Sequence, residues 1–159
     1  MTALLNWRGH AWLALGARLY RAYVFLFACW FKIVDPAEFA LSVATYQFLP
    51  LSLINITALV MPWAELLAGA MMVLGFRVRA AALLICGMMV IFMIALAWAL
   101  HQGLDLSCGC FASSSDADPI SMLTMLRDAA WLALGGYVLV FDRNPIGVDG
   151  LLARKRQQP

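Results

Sequence analysis

Four long apolar segments dominate this sequence, at about residues 13–33, 53–75, 80–100 and 121–141. An α-helix needs roughly 20 consecutive, mostly apolar residues to cross the hydrocarbon core of a membrane, and each segment meets that length. Of all residues in the chain, 64% are hydrophobic and 13% are charged, whereas a soluble domain has about 25% charged residues. We therefore predict an all-α, polytopic membrane protein. It should be a four-helix bundle in membrane lipid, forming a single membrane domain over residues 1–159.

The segment between the first two predicted spans, residues 35–52, is too short to cross the membrane. It is bounded by Pro36 and Pro50, and its apolar residues follow near-helical spacing from Phe39 to Tyr46. We expect a short interfacial helix between helices one and two.

Positive charges are concentrated on one side of the predicted bundle. If both termini are cytoplasmic, only Lys32 and Arg127 fall on the outer side. The cytoplasmic side then receives Arg8, Arg18, Arg21, Arg77, Arg79, Arg143, Arg154, Lys155 and Arg156. Since Lys and Arg concentrate in cytoplasmic loops, this asymmetry predicts a multi-pass membrane protein with both termini in the cytoplasm. The net charge of +2 is too small to suggest a nucleic acid partner.

The outer loop, about residues 101–120, carries the sharpest chemical motif, Cys108-Gly109-Cys110. Its predicted location is the periplasm, where disulfides form and persist. Thiol–disulfide exchange needs an accessible sulfur and a second thiol that resolves the mixed disulfide. One intervening residue keeps both sulfurs within reach. The pair therefore predicts a thiol–disulfide exchange site.

Two other uses of the cysteine pair stay open. Two thiolates bind Cu(I) with help from thioether or imidazole ligands, and His101, Met122 and Met125 are close in sequence. The pair is alternatively an inert clasp in a structural or assembly subunit of a membrane complex. The remaining cysteines, Cys29 and Cys86, lie in apolar helical segments, and we expect both to be small buried side chains.

Charged residues inside the predicted spans are the second group of candidates. Arg21 and Glu65 each lie 12 residues from the outer end of their segment, a depth of ~18 Å. Equal depth permits an ion pair between them, which would offset the cost of charge in hydrocarbon. Lys32, Arg127 and Asp128 lie nearer the outer side, and we expect them to form a second polar cluster beneath the cysteine loop.

These charges suggest a site for a polar headgroup within the membrane. A carboxylate beside an arginine suits a quinone headgroup or a proton relay, and nearby aromatic residues would line the pocket. The candidate headgroup-binding residues are Glu65, Arg21, Lys32, Arg127, Asp128 and Trp63. The alternative is that the charges only fix helix packing.

Several short motifs carry a resemblance to known proteins over about residues 18–141. They are Arg21, Lys32-Ile-Val-Asp-Pro36, Tyr46-Gln-Phe-Leu-Pro50, Met61-Pro-Trp-Ala-Glu65, Cys108-Gly-Cys-Phe111 and Leu126-Arg-Asp128. In this order they resemble the DoxX-like membrane proteins, in particular the branch of the methylamine-utilisation protein MauE.

The resemblance implies a four-helix membrane bundle associated with redox or thiol chemistry. For MauE-type members it implies partnership with a periplasmic thioredoxin-like protein in maturing a disulfide-rich amine dehydrogenase. For other DoxX-like relatives it implies quinone-coupled sulfur oxidation. Where the family often has glycine after Cys-x-Cys-Phe, this chain has Ala112, so we expect the loop to turn differently.

Overall fold

The computed structural model describes residues 10–103, 121–142 and 147–151. The helices in these ranges are α1 (His10–Val34), α2 (Pro36–Thr45), α3 (Leu51–Leu74), α4 (Val78–His101) and α5 (Met122–Phe141). Four of them, all but α2, are long and apolar enough to cross a membrane. The prediction of an all-α membrane bundle with a short helix between its first two spans is therefore confirmed. The predicted helix boundaries differ from the observed ones by no more than three residues.

The four long helices pack in the cyclic order α1, α3, α4, α5, with each helix in contact with the next and α5 in contact with α1. Neighbouring helices run in opposite directions, so the bundle has two distinct ends. We call one the α2 end: there α1 and α4 finish, α3 and α5 begin, and α2 packs against α3 and α1. The other is the turn end, where α3 turns into α4.

The polarity of this bundle is the reverse of a soluble protein. The buried polar and charged residues are Arg18, Arg21, Lys32, Glu65, Thr124, Asp128 and Asp142. Large apolar side chains instead cover the outside, among them Trp12, Trp30 and Trp63. Soluble proteins rarely bury charge or expose apolar surface this extensively. The arrangement is that of a multi-pass membrane protein, in which intramembrane charges face the bundle interior.

Helix α3 shows how the local sequence produces this packing. Its buried residues recur every three or four positions, as expected for one helix face: Ile54, Ala58, Pro62, Glu65, Ala68, Gly69 and Met72. The helix ends at Gly75, which adopts a left-handed conformation with φ of 66°. Glycine is the usual residue at such a helix end because it has no Cβ to clash.

The start of helix α2 is determined by its own sequence. The side chain of Asp35 caps the helix by accepting the Glu38 N–H at 3.0 Å, and Pro36 occupies the first helical turn, where its missing N–H costs nothing. None of the α2 residues is buried. The helix is therefore a cover that lies on α3 and α1.

At the turn end, residues 147–151 return to the connection between α3 and α4. The Asp149 N–H donates to the Gly75 carbonyl at 2.9 Å, and the Val78 N–H donates to Asp149 Oδ2 at 3.3 Å. Gly147 has a φ of 155°, and a Cβ there would lie 2.7 Å from the Leu74 carbonyl oxygen. Only glycine fits this close approach of two backbone segments.

Candidate functional site

An ion pair between α1 and α3 forms the centre of the candidate site. Lys32 Nζ lies 2.6 Å from Glu65 Oε1, and both residues are buried. The ammonium also lies 5.1 Å from the centre of the Phe39 ring of α2, a cation–π contact that holds α2 over the pair.

The ion pair that equal depth permitted between Arg21 and Glu65 is therefore not formed. That interpretation assumed that the outer ends of the first two spans lie at one level. In the structure α3 also packs beside α2, and the contact between Lys32 and Glu65 places the first turns of α3 beyond the end of α1. This shift brings Glu65, 14 residues into α3, level with Lys32 near the end of α1.

Arg21 instead lies among α1, α4 and α5 without a carboxylate. Its Nη2 lies 3.3 Å from Met89 Sδ, and its guanidinium is 5.5 Å from the centre of the Phe25 ring. A Cβ at Gly135 would collide with this guanidinium, so the absence of a side chain on α5 makes room for it. Within the described residues, Nε and Nη1 of Arg21 have no hydrogen-bond partner.

A second carboxylate, Asp128 of α5, completes the polar cluster. Arg127 Nε donates to Asp128 Oδ1 at 3.4 Å, and the Arg127 guanidinium lies 4.9 Å from the centre of the Trp131 ring. Asp128 is buried, whereas the Arg127 side chain is 31% exposed. In the described part of the chain, Asp128 Oδ2 and Glu65 Oε2 accept no hydrogen bond. Buried polar atoms are rarely left this way.

These charges meet at a cavity of about 60 Å³ inside the bundle. Its polar lining is Lys32, Glu65 and Asp128. The rest of the wall is aromatic or apolar: Val24, Phe25, Ala28, Met61, Met88, Met89, Phe92 and Trp131. We call this space the polar cavity. It unites three of the six residues that the sequence indicated for a headgroup site.

A second space of about 120 Å³, the apolar cavity, lies under α2. It shares Lys32, Met61 and Phe92 with the polar cavity, so the two adjoin. Its other lining residues are Phe39, Ser42, Val43, Tyr46, Phe48, Leu49, Thr57, Ile91 and Ala95.

Tyr46, just after α2, connects the apolar cavity to the bundle interior. It is buried against Leu96 and Ala99, with its ring 6.3 Å from that of Phe92. Burial, and secondarily the negative charge of Asp128, raises the pKa of Tyr46 to about 12. The phenol is therefore neutral at physiological pH and retains its O–H as a hydrogen-bond donor.

With this geometry established, comparison with known proteins identifies the family. The family profile described as "Methylamine utilisation protein MauE" matches residues 10–141. The chain is also 32% identical, over 140 residues, to a "Methylamine utilization protein MauE" of Methylophilus methylotrophus. That alignment covers 87% of this chain and 72% of the relative. The chain belongs to the MauE family. No solved structure matches this MauE-family chain.

The remaining sequence-indicated residues of this MauE-family chain fall in different places. Arg127 does not line the polar cavity but contacts two residues that do, Asp128 and Trp131. Arg21 lies behind its wall, in contact with Phe25 and Met89. Trp63 is 57% exposed on the outer face of α3 and lines neither cavity.

The four cysteines also fall in different places. Cys108 and Cys110 lie outside the described residues, and so does the predicted cysteine loop apart from residues 101–103. Cys29 is buried, as predicted, with its Sγ 3.2 Å from the Leu26 carbonyl oxygen. Cys86 is only half-buried.

Sequence reasoning missed two features of the bundle. One is Tyr46 as a cavity residue. The other is the ion pair between Arg18 and Asp142, which are buried and 3.3 Å apart at the turn end. The sequence contained a signal for buried charge, because Arg18, Arg21 and Lys32 recur at the helical spacing of one face of α1. All three are buried in the structure.

Proposed function

We propose that this MauE-family chain is a membrane accessory protein of methylamine utilisation that exchanges thiols and disulfides through Cys108 and Cys110. The observation that carries the proposal is the position of this pair between α4 and α5 in the chain. The segment that contains the pair leaves α4 and enters α5 at the α2 end. The polar cavity lies at the same end. The other two cysteines belong to membrane-spanning helices and suit packing.

The exchange balances as a two-electron, two-proton transfer. A thiolate of the partner attacks one sulfur of the Cys108–Cys110 disulfide, giving a mixed disulfide, and the second thiolate of the partner resolves it. The Cys108–Cys110 bond breaks, a disulfide forms in the partner, and two protons pass from the partner's thiols to the cysteine pair. The partner is a periplasmic thioredoxin-like protein or a disulfide-containing client.

Charge supports a periplasmic position for the pair in the bacterial inner membrane. Arg77 and Arg79 lie at the turn end, and positive residues favour the cytoplasmic side. That orientation directs the α2 end, and with it the connection between α4 and α5, to the periplasm. Membership of a wider DoxX-like group belongs to the same proposal and rests on the short motifs around Lys32, Glu65 and Cys108.

Trapping thiols in cells tests this proposal directly. Cells expressing the full chain are quenched with acid and treated with a thiol-alkylating mass tag before and after reduction. We expect Cys108 and Cys110 to be protected from the tag in an oxidising periplasm and accessible after reduction. Replacing one of them, Cys108→Ser or Cys110→Ser, should accumulate a mixed disulfide that a reductant releases.

The matched control removes the two helix cysteines, Cys29→Ser with Cys86→Ser, and should leave both results unchanged. If the tag modifies both loop cysteines whatever the redox state of the periplasm, thiol exchange is excluded. A stoichiometric membrane complex that survives loss of both loop thiols would instead favour an assembly subunit. Copper binding by the purified reduced protein, above a variant without the loop cysteines, would favour Cu(I) handling.

A further inference from the structure

The two cavities adjoin, and the lining of one is charged whereas the lining of the other is mostly apolar. Lys32, Met61 and Phe92 line both. The apolar cavity is about 120 Å³ against about 60 Å³ for the polar one. A molecule that fills both must therefore be an amphiphile with a compact polar head and a larger apolar tail.

The charges around the polar cavity indicate a neutral head. Two cations, Lys32 and Arg127, are matched there by two anions, Glu65 and Asp128. A charged headgroup would lose its hydration without finding an unmatched countercharge among the side chains that line the cavity, which is costly in a buried site. An uncharged head with hydrogen-bonding oxygens avoids that cost.

The side chains around the polar cavity offer a ligand both hydrogen-bond donors and hydrogen-bond acceptors. The Lys32 ammonium has three N–H donors, of which the structure assigns one to Glu65, so it can donate to a carbonyl oxygen. Glu65 Oε2 and Asp128 Oδ2 accept nothing among the described residues, so they can accept from a hydroxyl. A head that alternates between carbonyl and hydroxyl is satisfied in both states.

The apolar cavity also has a route out of the bundle. Phe48 and Ile91 line it, and both are among the exposed large apolar side chains on the outside of the bundle. Because this surface faces lipid in a membrane protein, a tail longer than the cavity continues into the bilayer between these residues.

We propose that the adjoining cavities bind a prenylated quinone, with its ring among Lys32, Glu65 and Asp128 and its tail under α2. This rests on the proposed function for its electron source, the Cys108/Cys110 dithiol. In the step, two S–H bonds of the dithiol break and one S–S bond forms. The two electrons and two protons convert both quinone carbonyls to the hydroxyls of the quinol.

Binding is tested on the full chain in nanodiscs of a defined phospholipid, free of quinone. The probe is decylubiquinone, and the readout is quenching of tryptophan fluorescence, because Trp131 lines the polar cavity. We expect saturable quenching that is mostly lost in Trp131→Phe. Lys32→Met should weaken binding roughly tenfold or more, as expected for loss of a hydrogen bond to a charged group.

A second variant leaves the charges intact and fills the apolar cavity. Ala95→Phe should weaken decylubiquinone binding and leave binding of the tail-less dimethoxy-methyl-benzoquinone unchanged. The matched control, Ile94→Phe, lies on the lipid-facing side of the same helix and should change neither. Unsaturable quenching, or binding that Lys32→Met and Ala95→Phe both leave unchanged, overturns the quinone site. A tightly retained phospholipid that decylubiquinone does not displace overturns it too.

The two proposals fail separately. Decylubiquinone binding to the Cys108→Ser, Cys110→Ser protein, without dithiol-dependent reduction by the unaltered protein, rejects the thiol role and supports the quinone site. Mixed disulfides with a partner, in a protein that binds no decylubiquinone, reject the quinone site and support the thiol role.

Discussion

The two ends of the bundle bury charge in contrasting ways. At the turn end, Arg18 pairs with Asp142, and Gly147 lets the backbone of residues 147–151 approach Leu74 and Gly75 closely. At the α2 end, Lys32, Glu65 and Asp128 surround a cavity, and two carboxylate oxygens there accept no hydrogen bond from the described residues. Neither cavity is lined by Arg18, Arg21 or Asp142.

This difference separates charge that serves packing from charge that is available to a ligand. A buried ion pair is weak support for stability, because desolvation offsets much of the attraction between the charges. An incompletely hydrogen-bonded group is costlier still. Within the described residues such groups lie both at Arg21, which Phe25, Met89 and Gly135 enclose, and at Glu65 and Asp128, where they border a cavity that can admit a ligand.

The largest effect is expected from removing one partner of the central ion pair. Lys32→Met leaves Glu65 charged and buried, and should cost about 3–5 kcal/mol of the free energy of unfolding. Lys32→Met with Glu65→Met replaces the pair by apolar side chains, and should recover stability to within about 1 kcal/mol of the unaltered protein. The measurement is unfolding in detergent, followed by circular dichroism.

The double variant decides whether the α2 end keeps its charge for function. If the double variant regains stability but no longer binds decylubiquinone, the ion pair at the α2 end serves function and not stability. If the double variant is as unstable as Lys32→Met alone, the pair is a packing device and the contrast between the two ends disappears.

A smaller effect is expected at Gly135, next to Arg21. Gly135→Ala places a methyl group against the buried guanidinium and should cost about 1–3 kcal/mol through overpacking. Gly136→Ala is the matched control, since a Cβ there meets nothing within 4 Å. It should be neutral or stabilising by up to ~1 kcal/mol, because alanine favours helix more than glycine does. Equal effects at the two positions would show that Arg21 is not tightly held.

The helices were predictable because the solvent fixes their length. A bilayer requires about 20 apolar residues per span, and prolines bound the short helix that follows α1. The partner of Glu65 was not predictable by counting residues. Counting residues assumes that the end of α1 and the start of α3 lie at the same depth. That assumption fails here, because α2 connects the two helices and α3 extends past the end of α1.

The helical period nevertheless contained information about the site. Trp63 and Glu65 are two positions apart and so point to nearly opposite sides of α3. Placing Glu65 in a site therefore places Trp63 outside it, as the structure shows. Which residue lies across the bundle depends on how helices pack against one another. No local pattern encodes the meeting of Lys32, Glu65 and Asp128 at one cavity.

The smallest effect tests whether residues 147–151 contribute to the closed turn end. Asp149 accepts the Val78 N–H at the start of α4, where Arg77 and Arg79 add positive charge to that of the helix dipole. Asp149→Asn keeps an acceptor but removes the negative charge, and should cost about 0.3–1 kcal/mol. Because exposed charges are screened by ions, the difference in unfolding free energy should shrink at high salt. A loss that salt leaves unchanged would mean that Asp149 acts through the hydrogen bond from the Val78 N–H to its side chain and not through its negative charge.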